Sequence, residues 1–405
     1  MKLVTPASVG MCERQLARVG EYLQRAYVEP GKIPGSVTLI SRGGQACFLD
    51  ITGQRDIARG QPMTEDTIFR IYSMSKPLTS VALMTLYEKG LFSLEDPVHR
   101  FIPAFRNLGV RKAGSFPVFE SVPCQRAMTI RDLFIHTSGL TYDFLRESNL
   151  DYAYRKLQVG NPRPDYTLSD MVDQLAQLPL EFSPGERWNY SVATDVLGYL
   201  IEVISGQSLP DFLQQTLFEP LGMVDTGFNI RPDQVHRFAS CYERNADKEL
   251  VLNDDGQSSM FSGRSFYSGG GGLLSTVGDY QRFCQLLLHG GSLDGQRIIG
   301  ARTLDFMIEN HLPGDVDLSR IAIGSFSETA YEGVGFGLGF ACKIDPVANG
   351  YPASRGSYFW GGLASTLFWV DPVEELTVLF MTQLMPSSTF NFRGQLEAMI
   401  YAALD

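Results

Sequence analysis

No apolar run in this chain approaches the ~20 residues that a membrane-crossing helix requires. The opening stretch "MKLVTPASVGMCERQ" has one lysine and then a very short apolar run. That is too short for a signal-peptide core, and it sets the expectation of a cytoplasmic protein. Basic clusters are missing as well. With a net charge of −11, the chain offers little to neutralise phosphates, which argues against nucleic acid or an anionic membrane as a partner. The six cysteines (12, 47, 124, 241, 284 and 342) form no CxxC pair and no metal spacing, as in a reduced thiol population. There is no HExxH and no His/Asp cluster to support a metallohydrolase. G-x-S-x-G is absent too, so a nucleophile-elbow hydrolase would have no nucleophile. The glycine run "SGGGGLLST" lacks the GKS or GKT ending of a phosphate loop and reads as a permissive loop before a helix.

What is present divides by periodicity. Residues 36–52 read as two strands around Gly43-Gly44, a hairpin signal. Residues 74–89 switch to helical spacing through Leu78, Val81, Ala82 and Thr85, with Gly90 as the stop. Further helical stripes follow. "MTIRDLFIHTSG" has Thr129 as N-cap with Asp132 in a capping-box position and a stop at Gly139. "TLSDMVDQLAQLPL", "SVATDVLGYLIEVISG" and "STVGDYQRFCQLLLHGG" carry apolar faces. Strands return at "GFGLGFACKID", "YFWGG", "STLFWVD" and "ELTVLFMTQ", and a final helix closes the chain. The economical architecture is α+β: one sheet built from both termini, with a helical region inserted between them. The expected division is an α/β domain over 1–95 and 290–405, and a mostly helical domain over 96–289.

Chemistry concentrates at "IYSMSKPLTSVALMTL". Ser73 and Lys76 are three residues apart, so a helix places both on one face. At a helix start the serine N–H is free to bind an anion, and a desolvated lysine can serve as a base for the hydroxyl. A cap serine beside a surface lysine is the plainer alternative. The apolar flanks argue against it, because they would bury Lys76 and demand partners for it. No other lysine here has a serine three residues before it. Tyr190 in "PGERWNYSVATD" and Trp360 in "YFWGGLAST" stand out less. A tyrosine before a helix is more often a core residue with a tethered hydroxyl. An aromatic followed by glycines marks a close backbone approach, which an oxyanion hole also requires. His136 ends a helical segment, where histidines commonly bond the last carbonyls. Bulky aromatics in "HTSGLTYDF", including Tyr142 and Phe144, together with "FSGRSFY" and "YFWGG", suggest a short acyl pocket.

The order of these pieces resembles the serine β-lactamase and penicillin-binding-protein superfamily, and more narrowly the family VIII carboxylesterases related to class C β-lactamases. The supporting stretches are "DTIFRIYSMSK", "IRDLFIHTSGL", "PGERWNYS", "FEPLGMVDTGF" and "SGGGGLLSTVGDYQRF". The resemblance implies a β-lactamase/transpeptidase-like α+β fold. It also implies Ser73 as nucleophile, Lys76 as the motif lysine and Tyr190 as general base and acid. Trp360, Gly361 and Gly362 stand where β-lactamases have Lys-Thr-Gly. The oxyanion hole would be the backbone N–H groups of Ser73 and Leu363. Val192 stands where class C enzymes have an asparagine that contacts the acylamide of a β-lactam. The function so implied is hydrolysis of short- to medium-chain carboxylic esters through an acyl-enzyme. Only weak β-lactam hydrolysis, no cofactor, no metal and a small-molecule ester partner are expected with it. Rival readings are an acyltransferase or transesterase, a D-amino-acid peptidase or other amide hydrolase on the same site, and a non-catalytic scaffold.

Overall fold

Gly43 and Gly44 both adopt positive φ (57° and 72°), the pair of left-handed residues that a tight two-residue hairpin turn demands. They join strands Gly35–Arg42 and Gln45–Asp56 of the computed structural model, which describes residues 2–324 and 330–405. This hairpin belongs to an eight-stranded sheet. Its order is Val334–Phe336, Ala341–Lys343, Tyr358–Gly361, Leu367–Asp371, Leu376–Met381, Gly35–Arg42, Gln45–Asp56 and Gln61–Pro62. All neighbours are antiparallel. The N- and C-terminal parts of the chain meet at Leu39 opposite Leu379, so the sheet closes only when both are present. The stretch "GFGLGFACKID" forms two strands rather than one, because Gly339 takes φ 93° and turns the chain between Phe336 and Ala341.

Both faces of the central strands are covered. Asp50, paired with Thr38, faces Gly20 of the helix Glu13–Leu23. On the other face Gln281, from the helix Val277–Leu288, donates to the hydroxyls of Ser41 (2.9 Å) and Thr377 (3.1 Å). A strand buried on both faces loses the alternation of a half-exposed one, and Leu376–Met381 is buried at every position.

The capping box at Thr129 and Asp132 forms as its spacing implies, but the helix is a short one, Ile130–Phe134. Helices Leu168–Leu175 and Ala193–Ser205 bury their apolar stripes, and the second ends at Gly206 in the left-handed conformation. The middle of the chain also contains two hairpins, Gly109–Ser115 with Val118–Pro123 and Cys241–Arg244 with Leu250–Asp254. Against the helix Ala193–Ser205 packs Ser75–Glu88, whose residues Ser75 to Leu86 are all buried. A helix wrapped on every side can hold polar groups only if their partners are built around it.

Candidate active site

Ser73 is the middle residue of the 3-10 turn Tyr72–Met74, which runs directly into the helix Ser75–Glu88. Tyr72 just before it has φ 40°, a left-handed conformation that costs a bulky residue about 1–3 kcal/mol and must be held by its surroundings. The holding contacts are specific. Ser75 Oγ accepts from the Leu273 N–H (3.1 Å), and the Tyr280 hydroxyl donates to the Met74 carbonyl (2.9 Å). The Thr79 hydroxyl donates to the Gly269 carbonyl (2.8 Å).

Lys76 is 2 % exposed. Its Nζ donates to Ser73 Oγ (3.2 Å), to the Tyr142 hydroxyl (3.0 Å) and to the Gly270 carbonyl (2.7 Å). Three acceptors match the three N–H donors of an ammonium. The same nitrogen lies 4.5 Å from the centre of the Tyr190 ring. Tyr190, immediately before the helix Ala193–Ser205, donates its hydroxyl to Ser73 Oγ at 2.6 Å. Ser73 Oγ therefore touches an amine and a phenol at once, and both are buried.

Trp360 is enclosed behind Tyr190. Its Nε1 donates to the Tyr190 hydroxyl at 3.4 Å, and its ring packs against Tyr190 and Phe336. Gly362 explains the paired glycines. A Cβ there would lie 2.4 Å from the Ile71 carbonyl and 2.3 Å from Thr366 Oγ1, so only glycine lets the end of strand Tyr358–Gly361 approach the chain leading to Ser73. That approach brings Leu363 to the wall of the cavity that contains Ser73. Among the described residues, the backbone N–H groups of Ser73 and Leu363 donate to no backbone carbonyl. The cavity, about 140 Å³, is also walled by Tyr142, Phe144, Val159, Val192, Asp195 and Ser268. Gly361 lies outside it, in a separate hollow beside Arg393.

His136 stands apart from Ser73. It has φ 57° and bonds Ser191 Oγ through Nδ1 (3.2 Å), with its ring among Trp188, Tyr190 and Phe336. Burial, and then the charge of Lys76, push its pKa well below the usual histidine value, so the ring is neutral. Its partner is thus a side chain from the Tyr190 segment and not the carbonyls at the end of its own helix.

The glycine run has a part that its pattern did not disclose. Gly270 supplies the carbonyl that accepts from Lys76, and Gly269 packs against the Thr194 carbonyl and Thr79. Asp195 was not singled out from the sequence either. It is 3 % exposed and accepts from Ser268 Oγ (2.5 Å) and the Gly270 N–H (3.0 Å). Burial raises its pKa, and the Ser268 bond and the Lys76 charge pull it back. A signal did exist: an aspartate inside the otherwise apolar helix "VATDVLGYLI" must find partners.

Comparison with known proteins places the chain in a family. Protein Rv1367c of Mycobacterium tuberculosis (strain ATCC 25618 / H37Rv) is 33% identical over 365 residues, covering 89% of this chain and 88% of the relative. Esterase EstB of Burkholderia gladioli is 30% identical over 368 residues, covering 87% of this chain and 86% of the relative. Among solved structures, "EstCE1, a hydrolase with promiscuous acyltransferase activity" superposes with a TM-score of 0.79 at 27% identity, covering 96% of this chain and 98% of that one. Residues 23–401 match the family described as Beta-lactamase, and the chain belongs to that family.

Proposed function

We propose that this protein is a serine esterase acting on short- to medium-chain carboxylic esters through a covalent acyl-enzyme. The observation that carries the proposal is the placement of one hydroxyl, Ser73, within hydrogen-bond reach of both Lys76 and Tyr190 at the wall of a cavity.

At the moment of attack Lys76 carries the ammonium and Tyr190 the phenolate, a charge pair favoured by the closeness of Nζ to the Tyr190 ring, 4.5 Å from its centre. Ser73 Oγ bonds the ester carbonyl carbon, and its proton passes to the Tyr190 oxygen. The carbonyl oxygen takes the negative charge and is held by the N–H groups of Ser73 and Leu363. Collapse breaks the bond to the alcohol oxygen, which leaves with the proton from Tyr190. Water then attacks the acyl-enzyme. Tyr190 takes its proton and returns one to Ser73 Oγ as the carboxylic acid departs. Tyr142, bonded to Lys76, holds the ammonium in place throughout. Trp360 braces Tyr190 from behind, and Phe144 forms part of the acyl wall.

Incubation with a fluorophosphonate should label Ser73, as located by mass spectrometry. Ser73→Ala should abolish hydrolysis of p-nitrophenyl butyrate and leave the fold intact. Ordinary activity in a folded Ser73→Ala protein would sink the assignment. A second reading, transfer of the acyl group to an alcohol acceptor, is favoured by the likeness to EstCE1. Its measure is the yield of methyl butyrate when methanol competes with water.

A further inference from the structure

From the pocket wall we infer that Asp195 is a specificity determinant: the acyl-enzyme site favours esters whose acyl chain carries an N–H or O–H donor near its end. This rests on the esterase reading above. Both hydrogen bonds to the Asp195 carboxylate, from Ser268 and from the Gly270 N–H, go to Oδ1. Oδ2 accepts none among the described residues, although the side chain is almost wholly enclosed. Asp195 shares the cavity wall with Ser73, so this acceptor is presented where an acyl chain would lie.

Gly270 is what exposes it. A Cβ at Gly270 would stand 2.7 Å from Asp195 Oδ2 and 3.2 Å from the Tyr142 hydroxyl. The missing methyl thus leaves Oδ2 and the Lys76-bound tyrosine bordering the same space. The same cavity is also lined by the apolar side chains of Val159, Val192 and Leu363. An acceptor that faces the cavity keeps water as its donor until an acyl chain displaces that water. A purely hydrocarbon acyl chain would desolvate Oδ2 with nothing in return, whereas a terminal hydroxyl or ammonium would bond it. Asp195 lies in the first turn of the helix Ala193–Ser205, where the helix N-terminus favours its negative charge.

The test uses three isosteric ethyl esters followed by pH-stat: butyrate, 3-hydroxypropanoate and 3-aminopropanoate. Each kcat/KM is divided by the rate constant for hydroxide hydrolysis of the same ester, which removes intrinsic reactivity. For the natural enzyme the donor-bearing esters should exceed butyrate by about 10-fold or more, the scale of one hydrogen bond to a charged group. Asp195→Asn can keep its oxygen on Ser268 and Gly270 while turning an NH₂ toward the cavity, exchanging an acceptor for a donor. The donor-to-butyrate ratio should then fall about 10-fold. Because only the ratio is read, a general loss from a disturbed loop cancels. A ratio near one in the natural enzyme overturns the inference even if the variant fails to fold, and so does a ratio that survives in Asp195→Asn. Hydrolysis of butyrate with no donor preference removes this inference alone. Failure on all three esters, with no fluorophosphonate label on Ser73, removes the esterase reading with it.

Discussion

The Tyr190 hydroxyl is shared between Ser73 Oγ, 2.6 Å away, and Trp360 Nε1, 3.4 Å away on its other side. An oxygen that accepts from an indole while facing a serine is arranged to hold negative charge as a phenolate until it takes the serine proton. Tyr190→Phe would keep the ring packing against His136, Trp188 and Trp360 and remove only this oxygen. We expect kcat for p-nitrophenyl butyrate to fall by about 10²-fold or more, in the range for loss of a general base, with thermal unfolding little changed. A folded Tyr190→Phe enzyme within threefold of the original rate would assign proton transfer elsewhere.

The sequence disclosed the pieces of the site whose spacing is local. Ser73 and Lys76 share a helical turn, so three residues of separation sufficed. The hairpin at Gly43-Gly44 and the capping box at Thr129 are local in the same sense. Tyr190 and Leu363 come from distant segments, and only the resemblance to a family connected them. Asp195, Ser268 and Gly270 went unnoticed because their role depends on how closely two backbones approach. The glycine run that permits the approach reads identically to a loose loop. Helix Glu13–Leu23 also went unnoticed, although Leu16, Val19, Gly20 and Leu23 repeat at helical spacing and are buried.

His136 gives a pH signature separate from catalysis. Its folded pKa lies well below the ordinary value of 6.5, so below about pH 6.5 the unfolded chain binds a proton that the folded one does not. Its contribution to stability is complete above that pH and declines below it, by at most ~1.4 kcal/mol per pH unit. Asparagine tolerates the left-handed φ of this position. In urea titrations, the natural protein should lose stability relative to His136→Asn between about pH 7 and pH 5.5. Other buried groups, Asp195 among them, are common to both proteins and cancel. His136→Asn should still be labelled at Ser73. A folded His136→Asn protein that fails to acylate would restore a serine–histidine mechanism.

Chain length should matter because the cavity is small. At about 140 Å³ it lies below the ~300–1,000 Å³ of typical ligand pockets. Phe144, Val159, Val192 and Leu363 close its apolar side. A butyryl chain fits such a space, whereas a sixteen-carbon chain must leave it and lie on the surface. We expect kcat/KM for p-nitrophenyl palmitate to fall at least about 10-fold below that for the butyrate, the cost of some 1.4 kcal/mol of lost burial. Measured in the same detergent, a palmitate value above the butyrate value would show that the walls move apart.

β-Lactams should acylate Ser73 slowly. The nucleophile, the phenol and the two N–H groups are those that any acyl transfer needs, so a reactive cephalosporin such as nitrocefin is not shut out by chemistry. Recognition is another matter. Val192 is buried at the cavity wall, and by the resemblance to class C β-lactamases it stands where an asparagine would contact the drug's acylamide. Trp360, enclosed behind Tyr190, supplies no cation for its carboxylate. Each missing polar contact is worth about 1–3 kcal/mol, or roughly 5- to 150-fold if felt in the transition state. Neutral esters lose nothing by either change. Hydrolysis of nitrocefin should therefore lie hundreds- to thousands-fold below that by a dedicated β-lactamase, and on one enzyme preparation its kcat/KM should lie below that for p-nitrophenyl butyrate. Equal values would mean that other side chains supply the missing amide and charge, and that Val192 and Trp360 do not set the preference.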